Sequence, residues 1–486
     1  MGLAELLAPA QPRLFIGGGW CDAADGATFD TRDPAHDDCV LADVARGGAL
    51  DIDAAVTAAR AAWPAWAATA PADRSACLRR LADAVEAAAE TLATIEVLDN
   101  GKSLTLARAE VAGCVAYLHY YAGAADKIQG ETVPLGDGYL DYVQREPLGV
   151  SAHIVPWNAP LSMLCRSLAP ALAAGNTAVV KPAEQTPLSA LKLAQVLADA
   201  GLPNGVFNVV TGFGSEAGAA LAAHAGIDSI TFTGSVATGR AVLRAAAEHV
   251  KPVVVELGGK SPQLVFADAG LEQVAREVVK GIFTNSGQYC DAGSRLLVEQ
   301  SVAEPLCERV VGIARELSVG PGLDAPDLGP LVSREHFERV CGYMTLARQE
   351  GARALIGGAP LDRPGCFVPP TIYADVSPAM RIYREEIFGP VLTVTPFADE
   401  DEALALANDC DYGLAAGVFT ADIDRALRLA SRIEAGYIMV NEYFAGGIGA
   451  PFGGCKLSGY SRERGLVALE NYTRTRNVVI RWKTDR

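Results

Sequence analysis

Small apolar residues recur at helical spacing from Asp51 to about Ala125, and the pattern predicts a pair or trio of helices. Pro71 fits the first turn of a helix that continues through Leu78, Leu81, Val85 and Leu92. From Tyr139 the spacing changes to alternation, Tyr139-Leu140-Asp141-Tyr142-Val143-Gln144, and then to short apolar runs separated by helical segments. The runs are Val150 to Val155, Thr177 to Val180, Val206 to Val210, Ser229 to Phe232 and Val253 to Val255. Strand, helix, strand in regular succession predicts a parallel sheet covered on both faces. One covering helix spans Pro187 to Ala200 and stops at Gly201, with Pro203 just beyond.

The same alternation resumes after Glu256. Strands are predicted at Gln263 to Phe266, Arg295 to Glu299, Phe367 to Tyr373, Val391 to Thr395, Ala415 to Phe419 and Tyr437 to Val440. Helices are predicted at Leu271 to Phe283, near Val302 to Leu317 and at Arg334 to Glu350. Two α/β units therefore meet near residue 257. The last run, Arg476 to Trp482, has no partner nearby in sequence, and with Tyr139 to Gln144 it reads as an arm that pairs outside its own core.

A chain of 486 residues is long enough for two or three domains, and half of its residues are hydrophobic. The formal charge of −17 repels phosphate backbones and anionic lipid, so nucleic acid is not an expected partner. No uninterrupted apolar stretch suggests a membrane span, and Met1 to Pro12 lacks the basic start and apolar core of a signal peptide. The eleven cysteines are odd in number and contain no CxxC pair, which suits a reduced, cytoplasmic setting. Six scattered histidines form no HxxxH or HExxH, so no metal is expected.

Cys290, in Gly287-Gln288-Tyr289-Cys290, lies 290 − 256 = 34 residues after Glu256 in Glu256-Leu257-Gly258-Gly259-Lys260. A thiol that forms an acyl-enzyme and a carboxylate that activates water are the two halves of covalent aldehyde oxidation. Taken alone, Cys290 is as readily a small buried residue, and Glu256 a surface acid at a strand end. Asn158, in Pro156-Trp157-Asn158-Ala159-Pro160, follows another strand, where its amide suits a developing oxyanion or simply a turn. Two glycine-rich stretches follow strands, Thr211-Gly212-Phe213-Gly214 and Phe232-Thr233-Gly234-Ser235; neither is the dinucleotide fingerprint and the second is no P-loop. Gly234-Ser235 nevertheless opens a helix directly after a strand, a place that favours phosphate. Lys181 and Glu184, in Lys181-Pro182-Ala183-Glu184, offer one donor and one acceptor to vicinal ribose hydroxyls.

Together with Glu385-Glu386-Ile387-Phe388-Gly389-Pro390 and Pro451-Phe452-Gly453-Gly454, these motifs resemble, in order and spacing, the NAD(P)-dependent aldehyde dehydrogenase superfamily from about residue 15 to residue 480. The resemblance implies that family's α/β fold. A dinucleotide-binding domain would take residues 1–124 and 147–257, a catalytic domain 258–457, and a small β oligomerisation arm 125–146 and 458–486. It implies Cys290 as nucleophile, Glu256 as general base and Asn158, with the Cys290 backbone N–H, as oxyanion hole. The implied cofactor contacts are Val155, Pro156, Trp157, Lys181, Glu184, Gly212, Phe232, Gly234, Ser235, Leu257, Gly258, Glu386 and Phe388. The implied substrate contacts are Met163, Arg166, Tyr289 and Asp291. A homodimer or a dimer of dimers is the implied assembly.

Glu184 beside the ribose 2′-hydroxyl favours NAD over NADP. Relatives that pass the acyl group to coenzyme A generally lack the glutamate found here as Glu256, so hydrolysis to the acid is expected. An acylating enzyme and a catalytically silent structural relative are the alternatives. Arg166 stands eight residues after Asn158, where the succinic-semialdehyde dehydrogenases use an arginine to meet the substrate carboxylate. That reading predicts an acidic semialdehyde; the other reading has Arg166 paired with a carboxylate of its own chain. Asp291 beside the thiol points instead to a substrate carrying a positive or hydroxyl group, if its side chain faces the pocket at all.

Overall fold

The computed structural model describes residues 2–483; Met1 and residues 484–486, the outermost ends of the predicted nucleotide unit and arm, lie outside the described residues. Four helices, not two or three, cover the stretch from Asp51 to about Ala125: Ala49–Ala68, Pro71–Ala87, Ala89–Asn100 and Leu104–Ala122. The extra division falls at Ala88, a single residue with φ −95° and ψ 7° between two helices. Alanine is the best helix former, so composition gives no sign of a break there. Pro71 does open its helix, and Leu78, Leu81, Val85 and Leu92 are fully buried.

Five parallel strands form the first sheet, in the order Val253–Glu256, Ser229–Thr233, Val150–Ile154, Thr177–Lys181 and Phe207–Val209. An antiparallel hairpin, Leu14–Ile16 with Gly19–Cys21, extends it at one edge. Three-residue strands are too short to carry a period, so this hairpin left no signature in the pattern. Because the five strands are parallel, Ile154, Lys181, Thr233 and Glu256 all end at one edge of the sheet, where α/β proteins gather their ligands.

The second sheet runs Arg353–Ile356, Thr371–Ala374, Val391–Phe397, Arg295–Glu299, Pro262–Val265, Ala415–Phe419 and Tyr437–Val440, all parallel except the first. The run predicted from Phe367 is strand only from Thr371, because Pro369 and Pro370 cannot donate to a ladder. The chain passes from one sheet to the other between Glu256 and Pro262.

The two unpartnered runs find each other. Thr473–Arg481 pairs antiparallel with Tyr139–Pro147, whose other side holds Glu131–Thr132. This three-stranded arm stands apart from both sheets, with Leu140, Val479, Ile480 and Trp482 exposed. Among the described residues no helix is long and apolar enough to cross a membrane.

Candidate active site

The amphipathic helix Leu271–Phe283 buries Val274, Val278 and Ile282 against the second sheet and delivers the chain into a tight turn. In that turn Asn285, Ser286 and Gly287 adopt left-handed φ values of 52°, 53° and 72°. Two of the three carry a side chain, and such residues cost of order 1–3 kcal/mol each unless their surroundings hold them. Ser286 Oγ donates to the Gly329 carbonyl at 2.7 Å, and Asn285 Nδ2 donates to the Asn158 carbonyl at 3.0 Å. Gln288 donates from Nε2 to the Asn285 carbonyl at 3.1 Å and accepts from the Val332 amide at 3.0 Å. At Gly287 a Cβ would run into the Gly389 backbone, so only glycine fits.

From this turn Cys290 emerges partly accessible into a cleft lined also by Pro156, Trp157, Asn158, Thr233, Gly234, Ser235, Glu256, Leu257, Gly258, Arg339, Glu386 and Phe388. Glu256 arrives from the end of its strand and is 2 % exposed, with both carboxylate oxygens lacking a hydrogen-bond partner among the described residues. Burial, then Glu463, pushes its carboxyl well above the usual range, against the opposing pull of Arg166, Arg462 and Arg464. Burial likewise pushes the Cys290 thiol up, with Asp291 adding to the rise and Arg166 opposing it. Asn158 spends one amide hydrogen on the Gln288 carbonyl at 2.9 Å and so is fixed against the turn that carries Cys290.

On the cofactor side, Lys181 Nζ lies 2.7 Å from Glu184 Oε2 beyond the end of the strand Thr177–Lys181. Ser235 caps the helix Val236–Ala247, its Oγ accepting from Thr238 N at 3.2 Å, which leaves the opening backbone N–H groups of a 12-residue helix facing the cleft. Glu386 accepts from the Gly259 amide at 2.8 Å, and burial pushes it up to about 7. Phe388 meets Trp157 edge to face at 5.2 Å between ring centres. Thr233, from the motif Phe232-Thr233-Gly234-Ser235, also lines the cleft, and two further participants carried no local signal: Arg339, whose Nη2 donates to the Glu386 carbonyl at 2.7 Å, and His336, whose ring binds the Phe388 carbonyl at 2.7 Å. Val155 and Phe232 are buried beneath the cleft, and a Cβ at Gly234 would meet the Phe232 ring. Gly212 lies apart, packed against Gly47. A helix start for phosphate, a Lys–Glu pair for one ribose and a half-buried acid for another fit a dinucleotide.

The sequence model of the aldehyde dehydrogenase family matches residues 20–478. The chain belongs to the aldehyde dehydrogenase family. A hydroxyisobutyraldehyde dehydrogenase of Mycolicibacterium austroafricanum is 46% identical over 98% of this chain and 95% of its own length. The NADP/NAD-dependent aldehyde dehydrogenase PuuC of Escherichia coli is 45% identical over 97% of this chain and 96% of its own. An NAD+ complex of an aldehyde dehydrogenase from Bacillus cereus superposes with a TM-score of 0.97 at 43% identity, covering 99% of this chain and 98% of that one. Like its relatives, this aldehyde dehydrogenase is an NAD(P)-dependent oxidoreductase.

Four positions were expected to touch the aldehyde dehydrogenase's substrate. Met163 is half-buried on the helix Pro160–Ala174, packed on the amino-terminal core. Arg166, on the same helix, is 1 % exposed and ion-paired with Glu463, with the Phe452 ring 5.4 Å from its guanidinium carbon. Its countercharge therefore comes from its own chain. Asp291 is partly exposed; burial raises its pKa, while Arg464 and then Arg166 pull it down. Tyr289 turns its hydroxyl onto Glu110 at 2.5 Å.

Proposed function

We propose that this enzyme oxidises an uncharged aldehyde to its carboxylic acid with NAD, through a Cys290 thioester that Glu256-activated water hydrolyses. The observation that carries the reading is a buried carboxylate without a hydrogen-bond partner in the same cleft as a partly accessible thiol and a fixed asparagine amide. Cys290 gives up its thiol proton to solvent in the cleft and adds through Sγ, as thiolate, to the carbonyl carbon, and the second amide hydrogen of Asn158 meets the oxygen as it gains charge. A bound nicotinamide dinucleotide supplies the hydride acceptor. Glu256 then takes one proton from water as the water oxygen attacks the thioester carbon, and the carbon–sulfur bond breaks to return the thiolate. A carboxylate whose affinity for protons burial has raised is a stronger base than one in water.

Glu184 supports NAD, since its carboxylate beside the Lys181 ammonium accepts from a 2′-hydroxyl and repels a 2′-phosphate. Glu256 supports hydrolysis over acyl transfer to coenzyme A. The pairing of Arg166 with Glu463 removes the support for an acidic semialdehyde, and Asp291 adds negative charge near the thiol. The 46% identical relative is named for a neutral hydroxyaldehyde. The exposed apolar arm supports assembly as a homo-oligomer.

Rapid-mixing kinetics test the scheme. Glu256→Gln is expected to retain a burst of NADH while steady turnover falls about 100-fold or more, and Cys290→Ser to lose both phases. Equal loss of burst and turnover in Glu256→Gln removes the assigned role. A panel pairing neutral with carboxylate-bearing aldehydes of equal length is expected to favour the neutral member in kcat/KM.

A further inference from the structure

The geometry points to Tyr289 as a positioning residue for the reaction: its bond to Glu110 ties the nucleophile turn to a buried ionic network that also holds the oxyanion loop. The inference rests on the reading of Cys290 as nucleophile.

Cys290 Sγ makes no hydrogen bond in the described residues, so its position is set by the backbone on either side. Three anchors hold that backbone. Asn158 Nδ2 donates to the Gln288 carbonyl at 2.9 Å, Tyr443 Oη donates to the Asp291 carbonyl at 2.8 Å, and Tyr289 Oη donates to Glu110 Oε1 at 2.5 Å. The last is a charge-assisted O–H···O⁻ bond, the strongest kind of the three. Glu110 lies on the helix Leu104–Ala122, and its other oxygen pairs with the fully buried Lys102. Lys102 Nζ also lies 3.3 Å from Glu96 Oε1, on the helix Ala89–Asn100.

From there the network returns to the cleft by two routes. Glu96 Oε1 accepts from the Leu161 amide at 3.4 Å, in the first turn of the helix that follows Asn158. Asn100 Nδ2, at the end of the Glu96 helix, donates to the Trp157 carbonyl at 2.7 Å. Nucleophile and oxyanion donor are thereby referred to one rigid frame built from helices far from both in sequence. Apolar packing would hold those helices at lower cost, because desolvating charges is expensive. What the ionic frame adds is direction: a hydrogen bond fixes Tyr289 to within a few tenths of an ångström, and a misplacement of about 1 Å at the reacting centre costs up to about 100-fold in rate.

The burst rate of NADH, the KM for NAD and the pH profile of Cys290 alkylation by iodoacetamide are measured for Tyr289→Phe, Glu110→Gln and the double variant. Tyr289→Phe is expected to slow the burst about tenfold or more and Glu110→Gln to slow it less, both with the KM for NAD unmoved, and the double variant to fall no further than Tyr289→Phe, because Tyr289→Phe removes the one bond that Glu110→Gln weakens from charge-assisted to neutral. The alkylation midpoint is expected to stay in place in all three. A wild-type burst in Tyr289→Phe overturns the proposal, as does a multiplicative loss in the double variant. So does an alkylation midpoint that moves together with the burst rate in Glu110→Gln, which would assign the effect to the Glu110 charge. Should Glu110→Gln fail to fold, Tyr289→Phe decides alone, its proper folding checked by thermal unfolding. Cys290→Ser separates the two readings: a burst that survives there sinks the nucleophile itself, whatever Tyr289 does.

Discussion

Glu386 shows how a single side chain sets a working range. Its carboxyl is half-buried in the cleft, and the loss of solvation, only partly offset by the Gly259 amide, Arg339 and Lys260, pushes it up to about 7. A group with a raised acid pKa is neutral below that value and charged above it, and only the charged form accepts hydrogen bonds from both hydroxyls of a ribose. The KM for NAD is therefore expected to climb as pH falls from 8 to 6, by up to about tenfold, and Glu386→Gln should raise it at high pH and flatten the profile. Initial rates at varied NAD across that range check this; a pH-independent KM in the unaltered enzyme counts against it. Arg166 teaches the complementary lesson at this scale. The same guanidinium reads as a substrate contact from its spacing and as half of a buried ion pair from its surroundings.

Among the elements, the nucleophile turn is the one whose shape is most demanding. Three successive left-handed residues are held in place by the turn's own side chains, Ser286, Asn285 and Gln288, which bond backbone groups of distant segments at Gly329, Asn158 and Val332. Gly287→Ala places a Cβ against the Gly389 backbone at φ 72°, so strain and collision add. Destabilisation of about 2 kcal/mol or more is expected, read from denaturant midpoints, with a burst rate that falls further than stability alone explains. The turn was half legible: Gly287 and Cys290 stood out, whereas Asn285, Ser286 and Gln288 did not, because the partners that give them a purpose lie far away along the chain. The helices and central strands were legible for the opposite reason, since Leu271–Phe283 carries its burial in its helical period and Ala415–Phe419 in an unbroken apolar run.

At the scale of the whole molecule, segments that flank the strands of two large sheets line one cleft, and a third, small sheet carries apolar residues into solvent. Val479 is 51% exposed, Ile480 44% and Trp482 49%, on an edge strand that is free along one side. Edges of this kind pair with another chain unless blocked. Replacing Val479 and Ile480 by Asp is expected to shift the protein to a smaller species in light scattering, with the NADH burst per subunit retained. An unchanged mass would show that assembly uses another face.

By itself the sequence determined what is local: which runs are strands or helices, where glycine and proline interrupt them, and a set of motifs, five of which send residues into one cleft. It also determined charge and the chemistry available to each side chain. Tertiary structure alone decided who neutralises whom. Glu463 against Arg166, Glu110 against Tyr289 and Lys102, Arg339 over Glu386 and the mutual pairing of the two arm strands all join residues distant in sequence. Electrostatic energy depends on distance in space and on exclusion of water, and neither quantity exists until the chain has folded.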